Sequence, residues 1–309
     1  MARNSSSVSI FEVGPRDGLQ NEKRVVSTRQ KLQFIDGLVQ AGFKDLELGA
    51  FVRPDKVPQM ADTDAVYRLI RAGKLKLGNA RAWALVPNKR GLDRALKAGV
   101  THIAVFTAAT ESFTKKNIGM SIERSLAEFK TVITDGRKAL GDRFKIRAYV
   151  STAFGCPFEG KTPPKAALNV IEKLADLGVD QISIGDTIGV ATPNDVHALI
   201  KPAIKMLGVK RTAVHFHDTR GTAIANALRA YELGVRVFDS SAGGLGGCPF
   251  APGAAGNLAT EDLLYMMTGM GIDHGIDLDR LAQVSLNLNA VMKRPIASRY
   301  LQSLASTSN

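Results

Sequence analysis

Cysteine is scarce: Cys156 and Cys248 are the only two in 309 residues. That excludes a disulfide framework and agrees with a reducing compartment. Long apolar runs are missing too, since no window approaches the roughly 18 consecutive apolar residues of a membrane span. The stretch from Met1 to Ser7 is too short and too polar for a signal or transit peptide, so a cytoplasmic protein without a membrane partner is expected. Acidic residues are in deficit, with 41 Lys and Arg against 29 Asp and Glu, a formal charge of +12 and a pI near 9.8. Nucleic-acid motifs are nevertheless lacking: there is no RNP, zinc-finger or basic-zipper pattern. The bases are spread along helical faces (Lys165, Lys173, Lys201, Lys205), which argues for a polyanionic small molecule over nucleic acid. No linker or low-complexity segment divides the chain, so one domain over 1–309 is expected.

What is present is a repeated unit, in which an amphipathic helix ends in a small or apolar residue plus Gly and a short β-rich run follows. Gln40-Ala41-Gly42 precedes Asp45-Leu46-Glu47-Leu48, Lys97-Ala98-Gly99 precedes His102 to Phe106, Asp176-Leu177-Gly178 precedes Gln181 to Ile184, and Glu232-Leu233-Gly234 precedes Val237-Phe238. Gly at that place ends a helix in the left-handed conformation. Helical spacing predicts helices over Thr28 to Ala41, Ser121 to Leu140 and Pro193 to Leu207. Strand-like runs fall at about residues 8–14, 45–51, 81–86, 102–107, 144–151, 181–185, 212–217 and 236–241. Eight strands alternating with helices imply an α/β (β/α)₈ TIM barrel, with an additional C-terminal helical segment from Leu278 to Lys293.

Buried parallel strands usually read as continuous apolar runs, yet here one face is polar. On the fifth strand Ile146, Ala148 and Val150 should face the helices, leaving Lys145, Arg147, Tyr149 and Ser151 inside. The same phase puts Glu12, Glu47, Ser183, His215 and His217 inside. Buried charges are costly unless paired or bound to a metal. An ion pair of Glu12 with Arg147 is therefore expected, and the barrel mouth is expected to be an active site.

In Val214-His215-Phe216-His217-Asp218 two imidazoles stand two residues apart on a strand, and i and i+2 share a face. A glycine-rich loop follows, Gly243-Gly244-Leu245-Gly246-Gly247-Cys248, and then Asn257. The alternative is a pair of satisfied core histidines beside an ordinary turn; together the two pieces favour a metal and a reactive thiol in one site. After the first strand, where barrel enzymes keep catalytic groups, Gly14-Pro15-Arg16-Asp17-Gly18 offers a carboxylate at Asp17, and Asn257 can add a carbonyl oxygen. Two nitrogens and two oxygens suit an octahedral Mg²⁺ or Mn²⁺. A zinc site would instead call on Cys248 as a ligand; it ranks second because the thiol is better placed for proton transfer. Gly-Cys-Pro-Phe occurs twice, at Gly155 to Phe158 and at Gly247 to Phe250. Cys156 is expected to pack as a small apolar residue, and Cys248 to be the reactive one.

These residues resemble the 3-hydroxy-3-methylglutaryl-CoA (HMG-CoA) lyase family, a branch of the metal-dependent barrel lyases that also include isopropylmalate and homocitrate synthases. The resemblance spans nearly the whole chain, through Glu12-Val-Gly-Pro-Arg-Asp-Gly-Leu-Gln-Asn-Glu-Lys23, Val57-Pro-Gln-Met60, Phe113-Thr-Lys-Lys-Asn-Ile118, Gly155-Cys-Pro-Phe-Glu-Gly160, Gly185-Asp-Thr-Ile-Gly189, His215-Phe-His-Asp218 and Gly244-Leu-Gly-Gly-Cys-Pro249. The last of these is highly specific to the lyases; the synthases share the metal site without it. The resemblance implies that Asp17, His215, His217 and Asn257 bind the metal, with Arg16, Glu47, Asp186 and Cys248 as surrounding catalytic or substrate groups. Arg53-Pro54-Asp55-Lys56 and Arg220 stand where the family often has less charged or aromatic residues, which bears on acyl-group selectivity.

The implied reaction is a retro-Claisen cleavage to acetyl-CoA and acetoacetate, in which a tertiary alkoxide collapses to a ketone and expels a thioester enolate. The base for the hydroxyl would be Asp17 or a histidine such as His215. Arg16 can neutralise the enolate oxygen, and Cys248 can handle the proton at the departing carbon. A ligand carrying pyrophosphate and a 3′-phosphate suits the basic surface; Lys23, Lys115 and Lys116 are candidates for those phosphates, against solvated loop charges for any one of them. The competing expectations are a lyase for another branched 3-hydroxyacyl-CoA, a condensing acyltransferase, and a basic binding protein without catalysis. A homo-oligomer is left open.

Overall fold

The computed structural model of the chain describes residues 7–247 and 256–307. Eight parallel strands close into a barrel: β1 (Ser9–Glu12), β2 (Asp45–Ala50), β3 (Arg81–Leu85), β4 (His102–Ala108), β5 (Lys145–Ser151), β6 (Gln181–Asp186), β7 (Thr212–Phe216) and β8 (Val237–Ser240). Each pairs with its neighbour in sequence, and β8 returns to β1 with Glu12 opposite Ser240. The expected barrel is thus the observed fold. Its first strand is shorter than the run 8–14, because Gly14 already opens another element. A small hairpin of Gly155–Cys156 with Gly160–Lys161, not anticipated, follows β5.

The expected helices fall at Thr28–Gln40 (α1), Ile122–Leu140, Pro193–Leu207 and Leu278–Met292, the last being the C-terminal segment. Ser27 starts α1 with a capping box to Gln30, which satisfies two of the donors a helix N-terminus leaves open. The glycines expected to end helices, Gly42, Gly99, Gly178 and Gly234, all have φ between 80° and 107°. A shorter helix, Arg299–Thr307, follows Leu278–Met292, and no helix among the described residues is long and apolar enough to cross a membrane. Leu278–Met292 lies so close on α1 that a Cβ at Gly37 would come within 2.6 Å of Val284 Cγ2. The core between barrel and helices is filled by fully buried side chains such as Ile35, Leu46, Ile103, Ile146, Ile184 and Leu263.

Inside the barrel the polar phase holds on β2, β5, β6 and β7 but slips on β1. Phe11 and Val13 pack against Trp83, and the Phe11 ring lies 3.7 Å under the Arg147 guanidinium. Glu12 is therefore on the other face. It accepts from Gly14 N (2.7 Å), Ala242 N (2.9 Å) and Thr260 Oγ1 (2.7 Å). The expected Glu12–Arg147 pair does not form: Arg147 pairs at 2.8 Å with Asp239 of β8. The physical reason is that backbone N–H groups at the start of the glycine-rich loop satisfy Glu12, while the interior position beside Arg147 is taken by an aromatic face.

Candidate active site and metal centre

The mouth of the barrel is built first by the turn after β1. Val13 O accepts from both Arg16 N and Gly18 N at 3.1 Å, the latter an i to i+5 bond, so Gly14–Gly18 is one π-helical turn with Pro15 in its first positions. Such turns are rare and concentrate at functional sites. This one sends Arg16 and Asp17 to the same cavity, a space of about 140 Å³ that they line together with His215, His217, Tyr149 and Gly247.

Arg16 is held on two sides, by Glu47 (Nε to Oε2, 2.6 Å) and by Asp17 (Nη1 to Oδ1, 2.6 Å). Tyr149 OH donates to the same Glu47 oxygen at 2.9 Å. Burial would favour a neutral guanidinium, but the charges of Glu47 and Asp17 outweigh it and raise the Arg16 pKa. Burial works against ionised Asp17 as well; Arg16, the two histidines and Asn257 nevertheless hold it at about 2. A fixed carboxylate at the mouth is the result.

The alternation of β7 continues past Phe216, so His215 and His217 both reach this carboxylate, with ring centroids 5.3 Å apart. Burial, and then the neighbouring His215, lower His217 to about 4, which keeps it neutral. His215 is different: burial pulls its pKa down, but the hydrogen bond and charge of Asp239 push it up overall. Asp239 is fully buried on β8 and takes Arg147 Nη2 (2.8 Å) on one oxygen, and Ser183 Oγ (2.7 Å) and His215 Nδ1 (3.3 Å) on the other.

Asn257 bridges to His217 as an isolated antiparallel pair. Its Nδ2 donates to Asp17 Oδ2 and Leu245 O, both at 2.9 Å. That fixes the amide orientation and leaves Oδ1 buried without a hydrogen-bond partner among the described residues, as is His217 Nδ1. Asp17, His215 and His217 each offer a ligand atom within 4.8 Å of the others. The orphaned Asn257 Oδ1 beside three convergent ligand atoms, one of them from His217, fits a divalent cation, and a neutral imidazole with an ionised carboxylate is the donor state it needs. The loop must pass this cluster closely. Gly246, at φ 100°, would place a Cβ within 2.6 Å of Asn257 Nδ2 and 3.1 Å of Asp17 O.

The structure thus brings together Arg16, Asp17, His215, His217 and Asn257, with Glu47 directly behind Arg16. It does not bring Asp186 there: both its oxygens accept backbone N–H groups, of Val190 and Ala191 at 3.0 Å, and it ties down the loop after β6. Cys248 lies outside the described residues. Its neighbour Gly247 lines the cavity and is held by Asn21, which donates to its carbonyl at 2.8 Å. Cys156 is buried with Ala108 and Phe113, as expected of a packing residue. Two participants were not anticipated as site residues, Tyr149 and Asp239. The inward phase of β5 pointed to the first; the alternation Phe238-Asp239-Ser240 was the available signal for the second.

An adjoining groove of about 590 Å³ shares Gln20, Leu85, Phe106 and Asn117 with the cavity and carries Arg53, Lys56, Arg90 and Arg94. Lys23, Lys115 and Lys116 line neither space, and Lys116 sits over the Phe158 ring at 4.0 Å. Arg220 donates to the carbonyls of Ile188 and Gly189, which is a loop contact.

Residues 7–287 match the HMGL-like family. The chain belongs to that family. As an HMGL-like protein it is 44% identical over 302 residues to the hydroxymethylglutaryl-CoA lyase of Pseudomonas mevalonii, covering 98% of both chains. The HMG-CoA lyase structure from Bacillus subtilis superposes with a TM-score of 0.92 at 40% identity, covering 97% of this chain and 98% of that one. An HMG-CoA lyase from Acinetobacter baumannii in complex with coenzyme A and 3-methylmalate has a TM-score of 0.91 at 35% identity, over 98% and 96% of the two chains.

Proposed function

We propose that this HMGL-like chain is a carbon–carbon lyase that cleaves 3-hydroxy-3-methylglutaryl-CoA to acetyl-CoA and acetoacetate, with Mg²⁺ or Mn²⁺ held by Asp17, His215, His217 and Asn257. The observation that carries the reading is the convergence of three ligand atoms at the barrel mouth beside a doubly paired, charged Arg16. When bound, the cation supplies positive charge against the alkoxide that develops at the tertiary hydroxyl. The chain's own residues do the rest. Arg16, oriented by Glu47 and Asp17, presents a fixed charge toward the cavity, where it opposes the enolate oxygen at no reorganisation cost. Tyr149 braces Glu47 from behind. Asp17 takes the hydroxyl proton, since His215 would spend its free lone pair on the cation, and Cys248, next in sequence to a cavity residue, handles the proton at the departing carbon.

The groove beside the cavity supports an acyl-CoA as the ligand class, since its apolar wall suits a pantetheine chain and Arg53, Lys56 and Arg90 suit phosphates. The low cysteine count supports a reducing, cytoplasmic setting. The test is acetoacetate release from HMG-CoA compared, as kcat/KM, with homologues carrying longer branches. Preference for the methyl substrate is expected. A higher kcat/KM for a longer branch would reassign the acyl group, and no release from any of them would remove the lyase reading.

A further inference from the structure

Below the mouth, Arg147 and Asp239 form an ion pair with no exposed surface on either side chain. Arg147 spends its other nitrogens on nothing: Nε and Nη1 have no hydrogen-bond partner among the described residues, and the guanidinium carbon lies 3.7 Å from the Phe11 ring centroid. Leaving two donors unsatisfied in a sealed interior is costly, so packing alone is a poor reason for this arginine. Its one hydrogen-bond partner among the described residues, Asp239, connects it to the site. One Asp239 oxygen takes Arg147; the other takes Ser183 and His215 Nδ1.

We propose that Asp239 and Arg147 are positioning residues that together select the tautomer of His215. An ionised carboxylate only accepts hydrogen bonds, so His215 must carry its proton on Nδ1. The lone pair is then on Nε2, the nitrogen that faces Asp17 Oδ2 at 3.9 Å. Arg147 only donates, and it keeps one Asp239 oxygen permanently engaged, so the other oxygen is committed to Ser183 and His215. The inference rests on the metal reading given above and assigns what prepares one of its ligands.

The pairing has a consequence that a purely structural role lacks. In Asp239→Asn the amide has a single oxygen, and Arg147 takes it. The NH₂ then faces Ser183 and His215. The Ser183 hydroxyl can turn and accept, but His215 must offer its lone pair at Nδ1, which moves the proton to Nε2 and closes that ligand. In the double variant Arg147→Met with Asp239→Asn nothing holds the amide, so its oxygen can return to His215. The second substitution should therefore repair the first.

The experiment measures Mn²⁺ binding to metal-free protein by calorimetry, with thermal unfolding as a check that each variant is folded. Asp239→Asn is expected to weaken binding by about 10- to 100-fold. Arg147→Met with Asp239→Asn should bind within a few-fold of wild type. Arg147→Met with Asp239→Ala, which offers Nδ1 no acceptor, should fall back to the weakened level. If Asp239→Asn does not fold because Arg147 is left without a counter-charge, the two double variants, neither of which contains that charge, decide the matter. Double variants with equal affinity, or a folded Asp239→Asn protein that binds like wild type, would overturn the proposal. Wild-type protein that binds no Mn²⁺ would remove the metal reading and this inference with it.

Discussion

Inside the barrel Asp17 and Asp239 each face an arginine, whereas beneath the glycine-rich loop Glu12 and Glu261 face, among the described residues, only backbone N–H groups and hydroxyls. Asp239, Glu12 and Glu261 are fully buried and Asp17 keeps 23% of its side chain exposed; burial works against the charge on each, and the outcomes diverge. Burial would raise Asp239, but Arg147 and then His215 hold it below the usual range; Asp17 sits at about 2. Burial pushes Glu12 up to about 7 and Glu261 up to about 8, the hydrogen bonds offsetting only part of it. Fixed negative charge is thus kept where a cation would need it. At the joint, two weakly acidic glutamates fasten the root of the loop through Ala242 N and Gly243 N.

The largest effect is expected at the mouth. Arg16→Gln keeps a polar side chain and loses the charge, so kcat should fall by about two to four orders of magnitude. Mn²⁺ affinity should change only a few-fold, because Asp17 retains both histidines and Asn257. Steady-state kinetics and calorimetry on the same preparation separate the two, and wild-type kcat would make Arg16 structural only. One layer down, the balance reverses. Arg147→Met strands Asp239 as a buried, unpaired charge, and the expected loss is about 3–5 kcal/mol of unfolding free energy, read by urea denaturation. Unchanged stability would break the contrast between the two arginines.

The glutamates provide the smallest and most specific test. Glu261 has a folded pKa of about 8 against an ordinary value of 4.5. Below pH 4.5 the folded and unfolded chains both hold the proton, and the contribution is fully present. As pH rises the unfolded carboxyl ionises first, so stability is lost progressively until pH passes about 8. Glu261→Gln cannot ionise and should flatten the decline in melting temperature between pH 6 and 9, by the equivalent of roughly a few kcal/mol at one pKa unit per 1.4 kcal/mol. A wild-type melting temperature that rises across that range would contradict the assignment.

Most of the architecture could be read from residue spacing, because helix-ending glycines and strand alternation are local signals: Gly42, Gly99, Gly178 and Gly234 each take the expected left-handed φ. The pair His215-x-His217 was legible for the same reason, two side chains on one face of one strand. Glu12 was not. On a four-residue strand one charge among apolar neighbours fits either phase, and its phase depends on donors 230 and more residues away, at Ala242 and Thr260. Asp239 mirrors that error: once Glu12 is assigned to Arg147 the arginine has a partner, and the alternation Phe238-Asp239-Ser240 is the one signal left for a second acid inside. Asp186 resembled a substrate group by motif, yet its even register with Ile182 and Ile184 turns it away from the cavity, toward its own loop.

The most direct measurement is acetoacetate release from HMG-CoA by protein first stripped of metal with a chelator, then titrated with Mg²⁺ and with Mn²⁺. The central claim is that Asp17, His215, His217 and Asn257 hold a cation without which the reaction does not proceed. It predicts no measurable turnover in the stripped protein, saturable recovery on adding either ion, and no recovery in a folded His217→Ala variant. Full turnover by the metal-free protein would contradict it.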